Sequence, residues 1–328
     1  MCYVDDTCSS HHIAGEPNSI ESVVAQQDVF QRLAQCESLE CASALHPELQ
    51  RLSTPFNFPH FFLAGWQKCA TTSIYRHLRL HPQVWIPKDK EPHYFSSCKR
   101  GAPACKVKGG FNATAYLLDT FGIREVADSK LSYATLDGSV DYAQKGVWLA
   151  PLLHKLFPWL KLVFVFREKV GRSMSYKNML AEKYDRGCKG DLAKCLTYSM
   201  IAYNYSDAMI HWFETFDVSQ IHVVQFEELV ENPDKVLTEL KEFLGLDPTL
   251  PKKDLRQTNR RPSSSGWPIQ KGEYDKLVDH AREDGQKLLE IFQKYNKSTA
   301  GWMQRWEALW KRNYDTCQGD EMCSVASM

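Results

Sequence analysis

No run of this 328-residue chain is apolar enough to span a bilayer. The most apolar stretch, Trp148 to Phe166, is broken by Pro151, His154, Lys155, Pro158 and Lys161. A spanning helix needs about 20 mostly apolar residues. An excess of one charge is also missing, since Lys+Arg and Asp+Glu both number 40. That balance argues against a general nucleic-acid binder, whose domain is normally basic. The opening MCYVDDTCSSHH is acidic and polar and lacks the apolar core of a secretory leader. There is no internal repeat, heptad array or low-complexity tract, and no His/Cys/Asp cluster has metal-ligand spacing. What remains is globular composition, 43% apolar and 24% charged, which excludes wholesale disorder. A chain this long buries a full core without staples.

The eleven cysteines fall far short of a disulfide scaffold, but their spacing is informative. Cys2/Cys8, Cys36/Cys41, Cys98/Cys105, Cys188/Cys195 and Cys317/Cys323 form local pairs, and Cys69 stands alone. Such pairs read as candidate disulfides. The sequons at Asn112, Asn204 and Asn296 point the same way, to an oxidising lumen rather than the cytoplasm. The missing leader is the counter-evidence, which an anchor trimmed from the N-terminus would reconcile.

Residues 1–54 carry scattered polar residues and modest helical periodicity, and are read as an N-terminal extension to a single domain over 55–328. Phe61–Ala64, Val84–Ile86, Lys161–Phe166 and Ile221–Phe226 are short apolar runs of the kind that form buried strands. Helices are expected over Thr71–Leu80, near Gly171, after Asn232-Pro233 as cap and first helical residue, and over Tyr274–Phe292. Strands alternating with helices predict an α/β fold with a parallel sheet covered on both faces.

The most informative segment runs from Gly65 through Lys68-Cys69-Ala70 to Thr71-Thr72-Ser73. A buried strand delivers a glycine turn, then a lysine, then three hydroxyl residues that open a helix. Helix N-termini bind anions through free N–H groups and the helix dipole. The lysine adds a point charge and the hydroxyls can donate to phosphate oxygens. The spacing is not GxxxxGK[ST], which disfavours an ordinary nucleotide triphosphatase.

On these residues the chain resembles the sulfotransferases that use 3′-phosphoadenosine-5′-phosphosulfate (PAPS), and most of all the Golgi carbohydrate branch with the heparan sulfate enzymes. Gly65–Ser73 followed by His81-Pro82 is similar to the strand, G-x-x-K-x-x-[ST]-[ST], helix, His-Pro opening of that family. Lys88-Asp-Lys-Glu91-Pro-His93-Tyr-Phe95 is similar to its K-x-x-E-x-H-[FY]-F segment. Arg167 at a strand end, with Ser175 eight residues later, is similar to its pair for the 3′-phosphate. The resemblance covers residues 58–295 and implies a P-loop-like three-layer sandwich with a central parallel sheet flanked by helices.

It further implies transfer of a sulfuryl group from PAPS to a hydroxyl on a carbohydrate or glycosaminoglycan, without a metal, in the Golgi lumen. Lys68, Glu91 and His93 are the expected catalytic residues. The expected donor-binding residues are Lys68, Cys69, Ala70, Thr71, Thr72, Ser73, Arg167, Ser175, Arg260 and Arg261. Each has a physical rationale. A residue at a strand's carboxyl end sits where open parallel sheets bind ligands, and the Arg167 fork suits a phosphate dianion. Glu91 and His93, two apart in an extended segment, can face one site. Arg260-Arg261 beside serines and Gly266 make either a phosphate clamp or a solvated turn.

Two departures limit the likeness. Cys69 is an unusual thiol in the loop. Leu136–Tyr142 keeps an acid, a hydroxyl and an aromatic where the heparan branch has E-K-[ST]-P-x-Y-F, but loses the lysine. Two other readings are a nucleotide-dependent kinase with a modified loop and a catalytically idle carbohydrate-binding relative. Tyr142, Trp148 and Trp267 are either sugar-stacking surfaces or core.

Overall fold

Five of the chain's short apolar segments pair side by side as parallel strands, in a computed structural model that describes residues 20–52, 55–97, 115–126, 134–184, 192–201, 203–250, 266–319 and 321–326. They are β1 (Asn57–Gly65), β2 (Val84–Trp85), β3 (Ala134–Asp137), β4 (Lys161–Phe166) and β5 (Ile221–Gln225), in the order β2-β3-β1-β4-β5. The two most apolar strands take the centre. Phe61–Ala64 of β1 and Leu162–Phe166 of β4 are at most 1% exposed, as expected where helices cover both faces. Each full burial of such a side chain stabilises by about 1.5–3 kcal/mol. β3 was not legible in the sequence, because Ala134-Thr-Leu-Asp137 is too short and mixed to show a period.

The connections carry the helices. Before the sheet come α1 (Ile20–Ala34), α2 (Leu39–Ala44) and α3 (His46–Leu49). Although they belong to the stretch read as an extension, Val29, Phe30, Leu33 and Leu49 lie in the main core, and the Phe30 ring sits 5.0 Å from Phe56. α4 (Thr71–Leu78) leaves β1, and α5 (Ile123–Val126) precedes β3. α6 (Gly146–Leu156) joins β3 to β4, and α7 (Lys169–Tyr184), α8 (Leu192–Ile201) and α9 (Tyr205–Thr215) join β4 to β5. α10 (Phe226–Glu231) and α11 (Pro233–Leu244) follow β5. Pro233 is the first residue of α11 as expected, but the Asn232 side chain makes no capping bond.

The chain ends in α12 (Lys271–Lys294) and α13 (Trp302–Tyr314), with β6 (Trp267–Gln270) and β7 (Met322–Val325) paired antiparallel beside them. Among the described residues no helix is long and apolar enough to cross a membrane. Cys36–Cys41 and Cys317–Cys323 are disulfides, Cys195 is also disulfide-bonded, and Cys69 is a buried free thiol. Cys2/Cys8, Cys98/Cys105 and Cys188 lie outside the described residues.

Candidate active site

The candidate residues gather at the carboxyl ends of the parallel strands. β1 ends at Gly65, where a side chain would not fit: its Cβ would lie 2.4 Å from Ala143 Cβ and 2.8 Å from the Val140 carbonyl. The chain then turns through Lys68 and Ala70, both left-handed at φ 68° and 61°. For residues with a Cβ this costs about 1–2 kcal/mol each. Turns of this kind aim successive N–H groups into one concavity that takes an anion. Ala70 is the cap of α4, and no side chain caps that helix. The Ser73 N–H bonds back to the Ala70 carbonyl at 2.9 Å, and the positive end of the helix lies beside Lys68 and the hydroxyl of half-buried Thr72, with Thr71 and Ser73 buried behind. The loop fits a phosphate or sulfate group. Cys69 does not act as a thiolate, because full burial pushes its thiol up to about 12 and its Sγ points at the Gln67 carbonyl.

Arg167 closes the loop from the neighbouring strand. It is 6% exposed, its Nη1 donates to the Lys68 carbonyl at 3.1 Å, and its guanidinium lies 4.4 Å from the Phe226 ring. The backbone around it is held on both sides. Tyr205 Oη donates to the Arg167 carbonyl at 3.0 Å, and the Glu168 N–H donates to Glu227 Oε1 at 2.8 Å. Glu168 turns its own carboxylate to the N–H groups of Val170 and Gly171 and to Trp310 Nε1, all at 2.6 Å. This is why α7 begins at Lys169, two residues ahead of the expectation. Burial pushes the carboxyls of both Glu168 and Glu227 up, that of Glu227 to about 7. Ser175 is half-buried two turns along α7. Arg260 and Arg261 lie outside the described residues.

Glu91 and His93 are brought together after β2. Glu91 Oε1 is 2.5 Å from Lys90 Nζ, and Oε2 is 3.5 Å from His93 Nε2. The opposite ring nitrogen, Nδ1, lies 3.0 Å from Asp141 Oδ1, and the His93 N–H donates to Ser139 Oγ at 2.9 Å. Asp141 also accepts from Ser96 Oγ at 2.8 Å and from Lys145 Nζ at 2.5 Å. Burial pushes the Asp141 carboxyl up, but hydrogen bonds from His93 and Lys145 outweigh it and hold it far below the usual range. The Asp141 hydrogen bond in turn raises the proton affinity of His93, more than burial lowers it.

The Asp137–Lys145 turn after β3 is the support that sequence reasoning did not assign. It is the segment that departs from the heparan pattern, and its acid and hydroxyl are the groups that hold His93. Lys145 brings a lysine to the site from a different position. Gly138 permits the close approach, since a Cβ there would meet the Lys90 carbonyl at 2.7 Å. Asp137 is buried, and burial raises its pKa despite bonds from Ser139 N, Tyr116 Oη and Tyr142 Oη. Tyr142 is therefore core and not a sugar platform.

A groove of about 520 Å³ opens beside α4 and β2. Thr72 of the anion loop lines it, and so does Lys90, the partner of Glu91. Tyr75 and Trp85 form apolar walls, and Arg76, Arg79 and Lys88 stand exposed along it.

Residues 126–250 match the Sulfotransferase family. Human carbohydrate sulfotransferase 15 is 22% identical over 279 residues, 64% of this chain and 50% of that protein. Human heparan sulfate glucosamine 3-O-sulfotransferase 6 is 26% identical over 206 residues, 58% of this chain and 53% of that protein. The likeness to the sulfotransferases holds. The chain spans about half the length of the curated relatives it matches. A sulfotransferase from Alicyclobacillus acidocaldarius superposes with a TM-score of 0.54 at 20% identity, covering 75% of this chain and 98% of that one. The sulfotransferase architecture, a P-loop-like sandwich with a central parallel sheet between helices, is thus the fold of this chain.

Proposed function

We propose that the chain moves a sulfuryl group from PAPS to a hydroxyl of a carbohydrate, an acidic glycosaminoglycan in particular. The observation that carries the reading is the left-handed anion loop at Lys68–Ser73 and the paired Glu91 and His93 following the carboxyl ends of strands of one parallel sheet, with a groove lined by Thr72 and Lys90 beside them. PAPS, bound there, supplies a sulfuryl group on a phosphate leaving group. Lys68 neutralises charge that develops on that phosphate, the kind of preorganised stabilisation worth most in a dry site. The first-turn N–H groups and the hydroxyls of Thr71, Thr72 and Ser73 hold the 5′ end, with Cys69 and Ala70 shaping the turn. Arg167 and Ser175 take the 3′-phosphate, and Arg260 and Arg261 are assigned to the same end by resemblance.

Glu91 accepts the proton of the attacking hydroxyl, a role worth about 10²–10⁴ in rate. His93 orients that hydroxyl, because its link to Asp141 favours the protonated ring, which is a poor base. The exposed Arg76, Arg79 and Lys88 favour an acceptor that carries carboxylates or sulfates. The catalytic unit is residues 55–328, with the helices of 1–54 docked on it. The disulfides support the Golgi lumen as its compartment.

Isothermal titration with adenosine 3′,5′-bisphosphate, PAPS and ATP tests the donor, followed by labelled sulfate transfer to a panel of acidic and neutral polysaccharides. Binding of the bisphosphate and PAPS with transfer to acidic glycans is expected. Preference for ATP with Mg²⁺ dependence would make the chain a kinase, and donor binding without transfer to any acceptor would make it an idle relative.

A further inference from the structure

Arg172, in the first turn of α7, is 3% exposed and has no carboxylate partner among the described residues. Its neighbour Lys169, equally buried, has Asp284 at 2.7 Å. An unpaired buried cation is costly in a low-dielectric interior. What surrounds Arg172 instead is a cage of rings. Its guanidinium carbon lies 5.6 Å from Trp66, 5.7 Å from Tyr203 and 5.2 Å from Tyr205. Aromatic faces offset part of the burial cost without cancelling the charge. Both Arg172 Nε and Trp66 Nε1 are buried donors without an acceptor among the described residues.

Trp66 is the residue by which the anion loop is fastened. Its N–H donates to the Val165 carbonyl of β4 at 3.0 Å, its carbonyl accepts from Cys69 N at 3.3 Å, and its ring packs 4.8 Å from Tyr205. Lys68 follows two residues later, its carbonyl held by Arg167. The two strained residues of the loop are thus held from both sides, by Arg167 on the backbone and by Arg172 on the ring. Strained positions persist only where the surroundings over-determine them.

We propose that Arg172 is a positioning residue of the donor site: its caged guanidinium fixes Trp66 under the anion loop and leaves a permanent positive charge behind that loop, so that a nucleotide bearing phosphates at both ends is held more tightly. The inference rests on the donor reading given above. It separates from a purely structural role by sign. An unpaired buried charge carries a desolvation cost that apolar volume in its place does not, so its replacement should not lower stability. A loss of anion affinity without loss of stability therefore marks the positioning role.

The test is titration of the full chain with adenosine 3′,5′-bisphosphate, alongside thermal unfolding. Arg172→Met should weaken binding about tenfold or more while the unfolding midpoint is not lowered, since charges act over several ångströms in the interior. Arg172→Lys, which keeps a cation in the cage, should stay within about threefold of the natural chain. Should the methionine variant not fold, Trp66→Leu removes the ring that the guanidinium holds and should show the same loss. Unchanged affinity in Arg172→Met or Trp66→Leu overturns the inference and leaves the donor reading standing. So does a lysine variant as weak as the methionine one. Failure of the natural chain to bind the bisphosphate overturns both.

Discussion

Lys68, Glu91 and His93 are separable by what each substitution leaves intact. Lys68→Ala should lower turnover by about 10²–10³ while the bisphosphate still binds, because the missing charge matters most as the leaving phosphate forms. Single-turnover rates beside titration check this. Glu91→Gln keeps the shape and removes the proton acceptor, so the rate should collapse with donor affinity preserved. His93→Ala should lose less. Asp141→Asn should lower the His93 pKa, read by NMR, because the hydrogen bond that raises it loses its charge. A rate that tracks the His93 titration in that variant would transfer the base role to the ring.

At this scale the sequence was most legible where chemistry demands rare residue types in a tight spacing: Lys68 among hydroxyls, Glu91 and His93 two apart, Arg167 at a strand end. Asp141 and Arg172 were not assigned. Asp141 meets His93 across 48 positions, and Arg172 reads as a surface cation in a helix of mixed polarity. Only the folded chain shows the first paired and the second buried.

Helices and strands set how close these residues come. Gly65 is the position with the least room, so Gly65→Ala should destabilise by about 1–3 kcal/mol through overpacking against Ala143 and Val140, measured by denaturant unfolding. The exposed face of α4 should govern the acceptor rather than the donor. Arg76→Ala and Arg79→Ala together should raise KM for acidic glycans several-fold, about 0.3–1 kcal/mol per exposed charge, and leave bisphosphate affinity unchanged. The central strands and the amphipathic α11 and α12 were plain from composition and periodicity. β3 was not, since four residues carry no period. The start of α7 was shifted by Glu168, a side-chain acceptor for N–H groups that no propensity scale records.

The whole molecule carries a pH dependence from the carboxylates under the donor site. Glu227 ordinarily titrates at 4.5 and is raised to about 7 by burial. Between those values the unfolded chain has released the proton that the folded chain keeps, so this contribution to stability is lost as pH rises through about 7. Glu227→Gln should flatten the fall in unfolding midpoint across that window. Its overall midpoint should be lower, because the Trp306 N–H at 3.1 Å loses a carboxylate acceptor.

The same carboxylates join the beginning of the fold to its end. Trp306 and Trp310 on α13 reach back to Glu227 and Glu168, separations of 79 and 142 residues, and Gln225 donates to the Trp302 carbonyl. Domains usually begin to fold as they are synthesised, at about 5–20 residues per second. On a translating ribosome, then, the sheet and the anion loop are complete long before the support behind Arg167 has been made. A nascent chain stalled before Trp302 would present the lysine loop and the central strands yet lack the tryptophans that hold Glu227 and Glu168 behind the arginine. The donor pocket is finished last.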